Sequence, residues 1–189
     1  FFWKRAANLF ELYERGLGTT VDSCFYDSEL IVAGVATGTP WSFDLGSISL
    51  KQLDWLDRLF EPFSNEFLKV VVQHQAPKAP HPSLIRSHCW NDKRALQRFQ
   101  RAGVDLILSG HNHFSHFEVI SPHTNSKIFW SQAGTTTSRR LKKSNYSTNT
   151  CHVINFTSKL LELAVYAYSP ASGSFEAKSH HSEALKEGN

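Results

Sequence analysis

The stretch G-V-D-L-I-L-S-G-H-N-H, from Gly103 to His113, puts a run of apolar residues directly ahead of two imidazoles. Val104, Leu106, Ile107 and Leu108 read as a short strand buried on both faces, which Ser109-Gly110 opens into a tight loop. Open α/β sheets place their active sites in such loops, just beyond the carboxyl ends of buried parallel strands. Gly110 tolerates the sharp turn required there. His111 and His113 are separated by one residue, so a straight strand would face them in opposite directions, while a turn lets them diverge slightly. Each could then reach its own cation where two metals stand ~3.5–4 Å apart. A His-x-His pair alone also fits two loop histidines that cap backbone groups. The strand, the Ser-Gly turn and His-Asn-His together are the more specific pattern.

Working upstream, Trp90 to Arg101 carries Leu96 and Phe99 on one side and Lys93, Arg94, Arg98 and Arg101 on the other, a helix that Gly103 ends. Before it stands a second strand, Leu68 to Val72, followed by Gln73-His74-Gln75-Ala76-Pro77. Strand, helix and strand make a crossover that favours parallel pairing, and both strands deliver a histidine into the loop that follows. The intervening loop, Lys78 to His88, carries His81 and His88, read as ordinary loop histidines. Ser49 and Gln52 have the spacing of a capping box ahead of Leu53, Leu56, Leu59 and Phe60, which predicts a helix from Leu50 to about Phe60. Val21 to Tyr26 and Leu30 to Val35 read as a strand pair divided by Asp27-Ser28. Ala6, Leu9, Phe10, Tyr13 and Leu17 recur at helical spacing from Phe2 onwards.

Downstream of His113 the pattern alternates, predicting strands over Phe117–Ile120, Lys127–Ser131, Thr150–Phe156 and Leu160–Tyr168. From Pro170 the composition turns polar, and Ala177 to Asn189 reads as a frayed or helical tail containing His180-His181. Arg139, Arg140, Lys142 and Lys143 form one basic cluster. A solvated loop explains it, and so does a guanidinium that grips a phosphate bidentately.

V-D-L-I-L-S-G-H-N-H resembles the G-H-x-H block that closes the active site of calcineurin-like metallophosphoesterases. G-S-I-S-L-K-Q-L-D-W-L is similar to the helix segment ahead of the next active-site strand in that family, and His74 with Pro77 resembles its H-x-P block. Many members have His-His-Pro there, where this chain has Gln75 and Ala76 before Pro77. A-G-T-T-T-S-R-R, Ala133 to Arg140, resembles a segment of a bacterial branch that includes cyclic-nucleotide-phosphodiesterase-like proteins. The resemblance implies the C-terminal part of a four-layer α/β/β/α sandwich over residues 1–169, with 170–189 a polar tail. It implies two divalent metal ions (Mn, Fe or Zn), with His74 and His111 as ligands of one and His113 as a ligand of the other. The implied substrate is a phosphomono- or diester, a cyclic nucleotide among them, with Asn112, Arg139 and Arg140 as its candidate contacts. The family's upstream D-x-H, G-D-x-x-D and G-N-H-D blocks do not occur in these residues, so the carboxylate and asparagine ligands and the catalytic proton donor are expected upstream.

The totals are consistent with one globular core: 189 residues, 41% hydrophobic and 13% aromatic. A formal charge of +3 does not call for a nucleic-acid partner. Cys24, Cys89 and Cys151 are odd in number with no C-x-x-C spacing, which argues against a disulfide framework or a thiolate zinc site and for a reducing, cytoplasmic setting. No apolar run reaches bilayer length, and the charged N-terminal segment reads as neither signal peptide nor anchor. The chain begins Phe-Phe-Trp and contains no Met, so it reads as a piece of a longer protein. Three functions are open: a phosphoesterase whose isolated fragment is inactive, a degenerate scaffold that keeps the fold, or a mononuclear zinc protein using His74, His111 and His113.

Overall fold

The computed structural model of the 189-residue chain describes residues 14–16, 22–39, 44–80, 87–123, 126–138, 148–157 and 160–185. Its elements run β1 Ser23–Tyr26, β2 Leu30–Val35, α1 Leu50–Phe60, β3 Leu68–Gln73, α2 Asp92–Arg101, β4 Leu106–Ser109, β5 His116–His123, β6 Ser126–Gln132, β7 Thr150–Phe156, β8 Leu160–Ser169 and β9 Ser174–Ala184. One sheet has six strands in the order β1-β2-β3-β4-β6-β5, and a second has three in the order β7-β8-β9. β2, β3, β4 and β6 are parallel, and β1 and β5 close the edges antiparallel.

The apolar runs of the central strands are explained by burial on both faces. Ile31, Ala33, Val35, Val71, Ile107, Ile128 and Trp130 pack with Leu53, Leu56 and Phe60 of α1 and with Ala95, Leu96 and Phe99 of α2. Leu68, Val70, Leu106 and Phe129 point the other way, onto Leu161, Leu163 and Val165 of β8. Each fully buried large side chain contributes roughly 1.5–3 kcal/mol. Helices, six-stranded sheet and three-stranded sheet are three consecutive layers of the expected sandwich.

Local signals set several boundaries. Ser49 accepts from the Gln52 N–H at 3.2 Å and its own N–H donates to Gln52 Oε1 at 2.8 Å, so the capping box forms and α1 begins where its spacing predicts. Asp27 Oδ1 accepts from the N–H groups of Glu29 and Leu30, turning β1 into β2. At the base of β4 the buried Asp105 accepts from the Lys69 N–H at 2.9 Å, pinning the β3–β4 register. Arg98 does more than face solvent: it bridges Asp54 and Asp57 of α1.

Three expectations change. α2 starts at Asp92 because the Trp90 N–H donates to Gly46 O and Cys89 is bridged to Gly46, which holds both residues in a loop ladder. The frayed or helical tail is instead β9, which pairs with β8 from Leu160↔Ala184 to Ser169↔Ser174. Its charged and polar side chains suit a solvent-facing edge strand, which needs no apolar alternation. His180 and His181 therefore belong to a sheet: the His181 ring lies 5.0 Å from that of Phe117, and His180 Nε2 is 3.9 Å from Glu162 Oε1. The expected N-terminal helix lies outside the described residues except at 14–16, which are helical. Among the described residues no helix is long and apolar enough to cross a membrane.

Candidate metal centre

β3 and β4 are neighbours and parallel, so the loops that follow them leave the sheet side by side. Gly110 N–H donates to His74 O at 3.1 Å, tying the second loop to the first. The two loops bring His74 and His111 together: His74 Nε2 and His111 Nδ1 are 3.1 Å apart, with the rings nearly perpendicular at 75°. Burial, and then the nearby His113 charge, lower the His74 pKa and favour the neutral imidazole that a metal requires.

His111 and His113 both occupy the left-handed region, with φ of 66° and 51°. This conformation costs a non-glycine residue on the order of 1–3 kcal/mol and persists only where its surroundings hold it. Asn112 between them is completely buried. Its amide donates to Gln132 Oε1 at 3.1 Å and to Ser87 O at 3.3 Å, while Gln132 Nε2 donates to Phe114 O at 2.9 Å. The Asn112 side chain is thus enclosed, with its amide nitrogen engaged by Gln132 and Ser87. Sequence reasoning missed Gln132; its place at the end of an apolar strand was the only signal.

The loop after β3 is held in a comparable way. Thr37 Oγ1 donates to Gln75 Oε1, the Gln75 N–H donates to Thr37 Oγ1 at 3.2 Å, and Gln73 Nε2 donates to Gln75 O at 2.8 Å. All three residues are buried. Gly46 packs so tightly on them that a Cβ there would stand 2.8 Å from Thr37 O. A crevice of about 640 Å³ opens beside His74 across the strand ends, lined by Gly34, Thr37, Val72, Leu108 and Gly110 among others.

Two nitrogens each ~2.0–2.1 Å from one cation stand about 2.9–3.4 Å apart between octahedral and tetrahedral geometry. The observed 3.1 Å fits that separation, so His74 and His111 suit two neighbouring positions on a single ion. Among the described residues no group of three His, Cys, Asp or Glu side chains could hold a metal ion. Among the described residues His113 does not form such a group with His74 and His111.

The small-residue segment from Ala133 is anchored as its composition suggests. Ser138 N–H donates to Thr135 Oγ1, and Asn149 Nδ2 donates to the carbonyls of Thr135 and Ser138. A Cβ on Gly134 would lie 2.1 Å from Thr150 Oγ1. Arg139, Arg140 and His81 lie outside the described residues. His88 is mostly enclosed, with Nε2 3.7 Å from Asp92 Oδ2.

No family model matches the chain, and no curated protein matches it by sequence. Among solved structures, a dimetal phosphatase from Danio rerio aligns at a TM-score of 0.53 and 12% identity, over 75% of this chain and 40% of that one. GAP50, the anchor in the inner membrane complex of Plasmodium, aligns at 0.48 and 17% identity, over 88% of this chain and 54% of that one. Vps29 from Chaetomium thermophilum aligns at 0.39 and 10% identity, over 94% of this chain and 66% of that one. The chain thus spans about two fifths of the length of the Danio rerio phosphatase. With helix-backed parallel strands on one side and a second sheet on the other, the chain carries the α/β sandwich fold of the metallophosphoesterases, over part of that domain.

Proposed function

We propose that this chain is the C-terminal part of a metal-dependent phosphoesterase that hydrolyses a phosphomono- or diester at a two-metal centre. The observation that carries the reading is the 3.1 Å approach of His74 Nε2 to His111 Nδ1 at the ends of adjacent parallel strands. In this reading His74 and His111 hold one cation and His113, turned by its own left-handed backbone, serves the other. Bound divalent cations supply Lewis acidity toward the phosphoryl group. The histidines act as ligands rather than bases, oriented by the hydrogen bonds of the loops that carry them. The remaining ligands come from upstream carboxylate and asparagine blocks, so the 189 residues alone do not turn over substrate. The cyclic-nucleotide preference rests on the Ala133–Arg140 resemblance alone.

The alternative reading is a degenerate scaffold that keeps the fold without the chemistry. Upstream sequence and activity decide between the two. The reading frame ahead of Phe1 should encode D-x-H, G-D-x-x-D and G-N-H-D in that order. The extended protein should hydrolyse bis(p-nitrophenyl) phosphate or p-nitrophenyl phosphate with added Mn²⁺, and His111→Ala should abolish turnover. Blocks without their Asp and Asn, or an extended protein inert with every divalent ion, would leave the scaffold.

A further inference from the structure

We infer that Asn112 and Gln132 form an amide clamp whose function is to position His111 and His113. The inference deepens the metal-site reading, and its structural half can be tested without metal. Two histidines in left-handed geometry on either side of one residue need an external hold. The loop's backbone supplies two bonds, from Gly110 N–H to His74 O and from Asn112 N–H to Gly110 O. Buried side-chain amides add to that hold.

Gln132 is fully buried and pairs with Ser109 at the end of β6, so the sheet register sets it beneath the loop that begins one residue later. Its amide has two jobs: the oxygen accepts from Asn112 and the nitrogen donates to Phe114 O. Asn112 uses its nitrogen twice, toward Gln132 Oε1 and Ser87 O, which fixes the amide orientation because a flipped group would face two oxygens. Among the described residues Asn112 Oδ1 has no hydrogen-bond partner, which is the cost of that choice. The chain of bonds runs Ser87, Asn112, Gln132, Phe114 and so grips the loop both at the residue between the histidines and at the residue after them. With Asn112 drawn inward, its neighbours turn outward.

The test compares the wild-type chain with Asn112→Gly, Gln132→Met and the double variant, with Leu56→Ala as a control that destabilises the core remotely. Gln132→Met keeps the length and burial but removes both bonds. The metal-free readouts are the backbone coupling constants of His111 and His113, which report φ, and the ring ¹⁵N shifts of the His74–His111 pair. Each single variant should move both couplings out of the left-handed range and erase the ring signature, while Leu56→Ala leaves them in place. In the protein extended upstream to carry the remaining ligands, Zn²⁺ affinity by calorimetry should fall about 10–100-fold in either variant, as for other residues that orient metal ligands. The double variant should lose no more than about twofold beyond either single, because the two residues act as one unit.

If Gln132→Met does not fold, Gln132→Glu keeps the acceptor for Asn112 and removes the donor to Phe114, and should still shift the His113 coupling. Unchanged couplings and ring shifts in the folded variants would overturn the clamp, as would equal shifts in Leu56→Ala. A wild-type chain with left-handed couplings that shift in the variants, together with an upstream-extended protein that binds no Zn²⁺, supports the clamp and counts against the metal reading.

Discussion

Acidification should weaken this fold through one imidazole, His152 of β7. Its Nε2 is 2.7 Å from Ser115 Oγ and its Nδ1 is 2.7 Å from Ser131 Oγ, so it joins the three-stranded sheet to β6 and to the segment before β5. A neutral ring offers one donor and one acceptor, and the two hydroxyls can satisfy both. Protonation turns both nitrogens into donors in a desolvated place, with His181 and His116 adding positive charge nearby. Burial first, then those two histidines, push the His152 pKa down to about 4. Since the folded value lies below the ordinary 6.5, the unfolded chain binds more protons between those limits, and stability rises with pH across that window. Stability from this group is fully present above about pH 6.5, declines as pH falls, and is exhausted below about 4. About 2.5 units at 1.36 kcal/mol each gives roughly 3 kcal/mol as an upper bound, a large share of a typical 5–15 kcal/mol. Urea unfolding at pH 7, 6, 5 and 4 on wild type and His152→Gln measures it, because Gln can bond both serines without titrating. The wild type should lose about 2–3 kcal/mol more than the variant between pH 7 and 4. Parallel loss in the two proteins would refute the argument and assign acid sensitivity to other groups.

Two further expectations concern packing. Gly134→Ala should destabilise by about 1–3 kcal/mol in thermal unfolding, because the added Cβ meets Thr150 Oγ1, and pairing it with Thr150→Ala should recover part of the loss. Truncation after Ser169 should remove the whole β9 ladder and uncover Leu161, Leu163 and Val165 at one edge, producing aggregation or a non-cooperative transition. A truncated chain that unfolds with the original midpoint would restore the tail reading.

The parts of the fold that could be read along the chain are those whose cause is local. α1 begins at its capping box because Ser49 and Gln52 are three residues apart and one helical turn brings them together. β3 and β4 announce themselves as apolar runs because both of their faces are covered. The strand-loop-histidine repeat placed His74 and His111 in loops that follow parallel strands, and parallel neighbours must release those loops at the same sheet edge. β9 escaped the same reading. A strand paired on one edge and largely open to water carries no apolar period to detect, so its partner β8 decides its structure.

Amino-acid order was enough to establish the helix-backed parallel core and the two histidine loops, since periodicity, capping and turn chemistry act over a few residues. Tertiary structure alone decided which way the loop residues face. The bonds that turn Asn112 inward and its neighbours outward join residues 20 and 25 positions apart, and those that lock Gln75 on Thr37 span 38. Such partners meet only after the sheet has set its register, and no spacing along the chain encodes which buried amide will find which carbonyl.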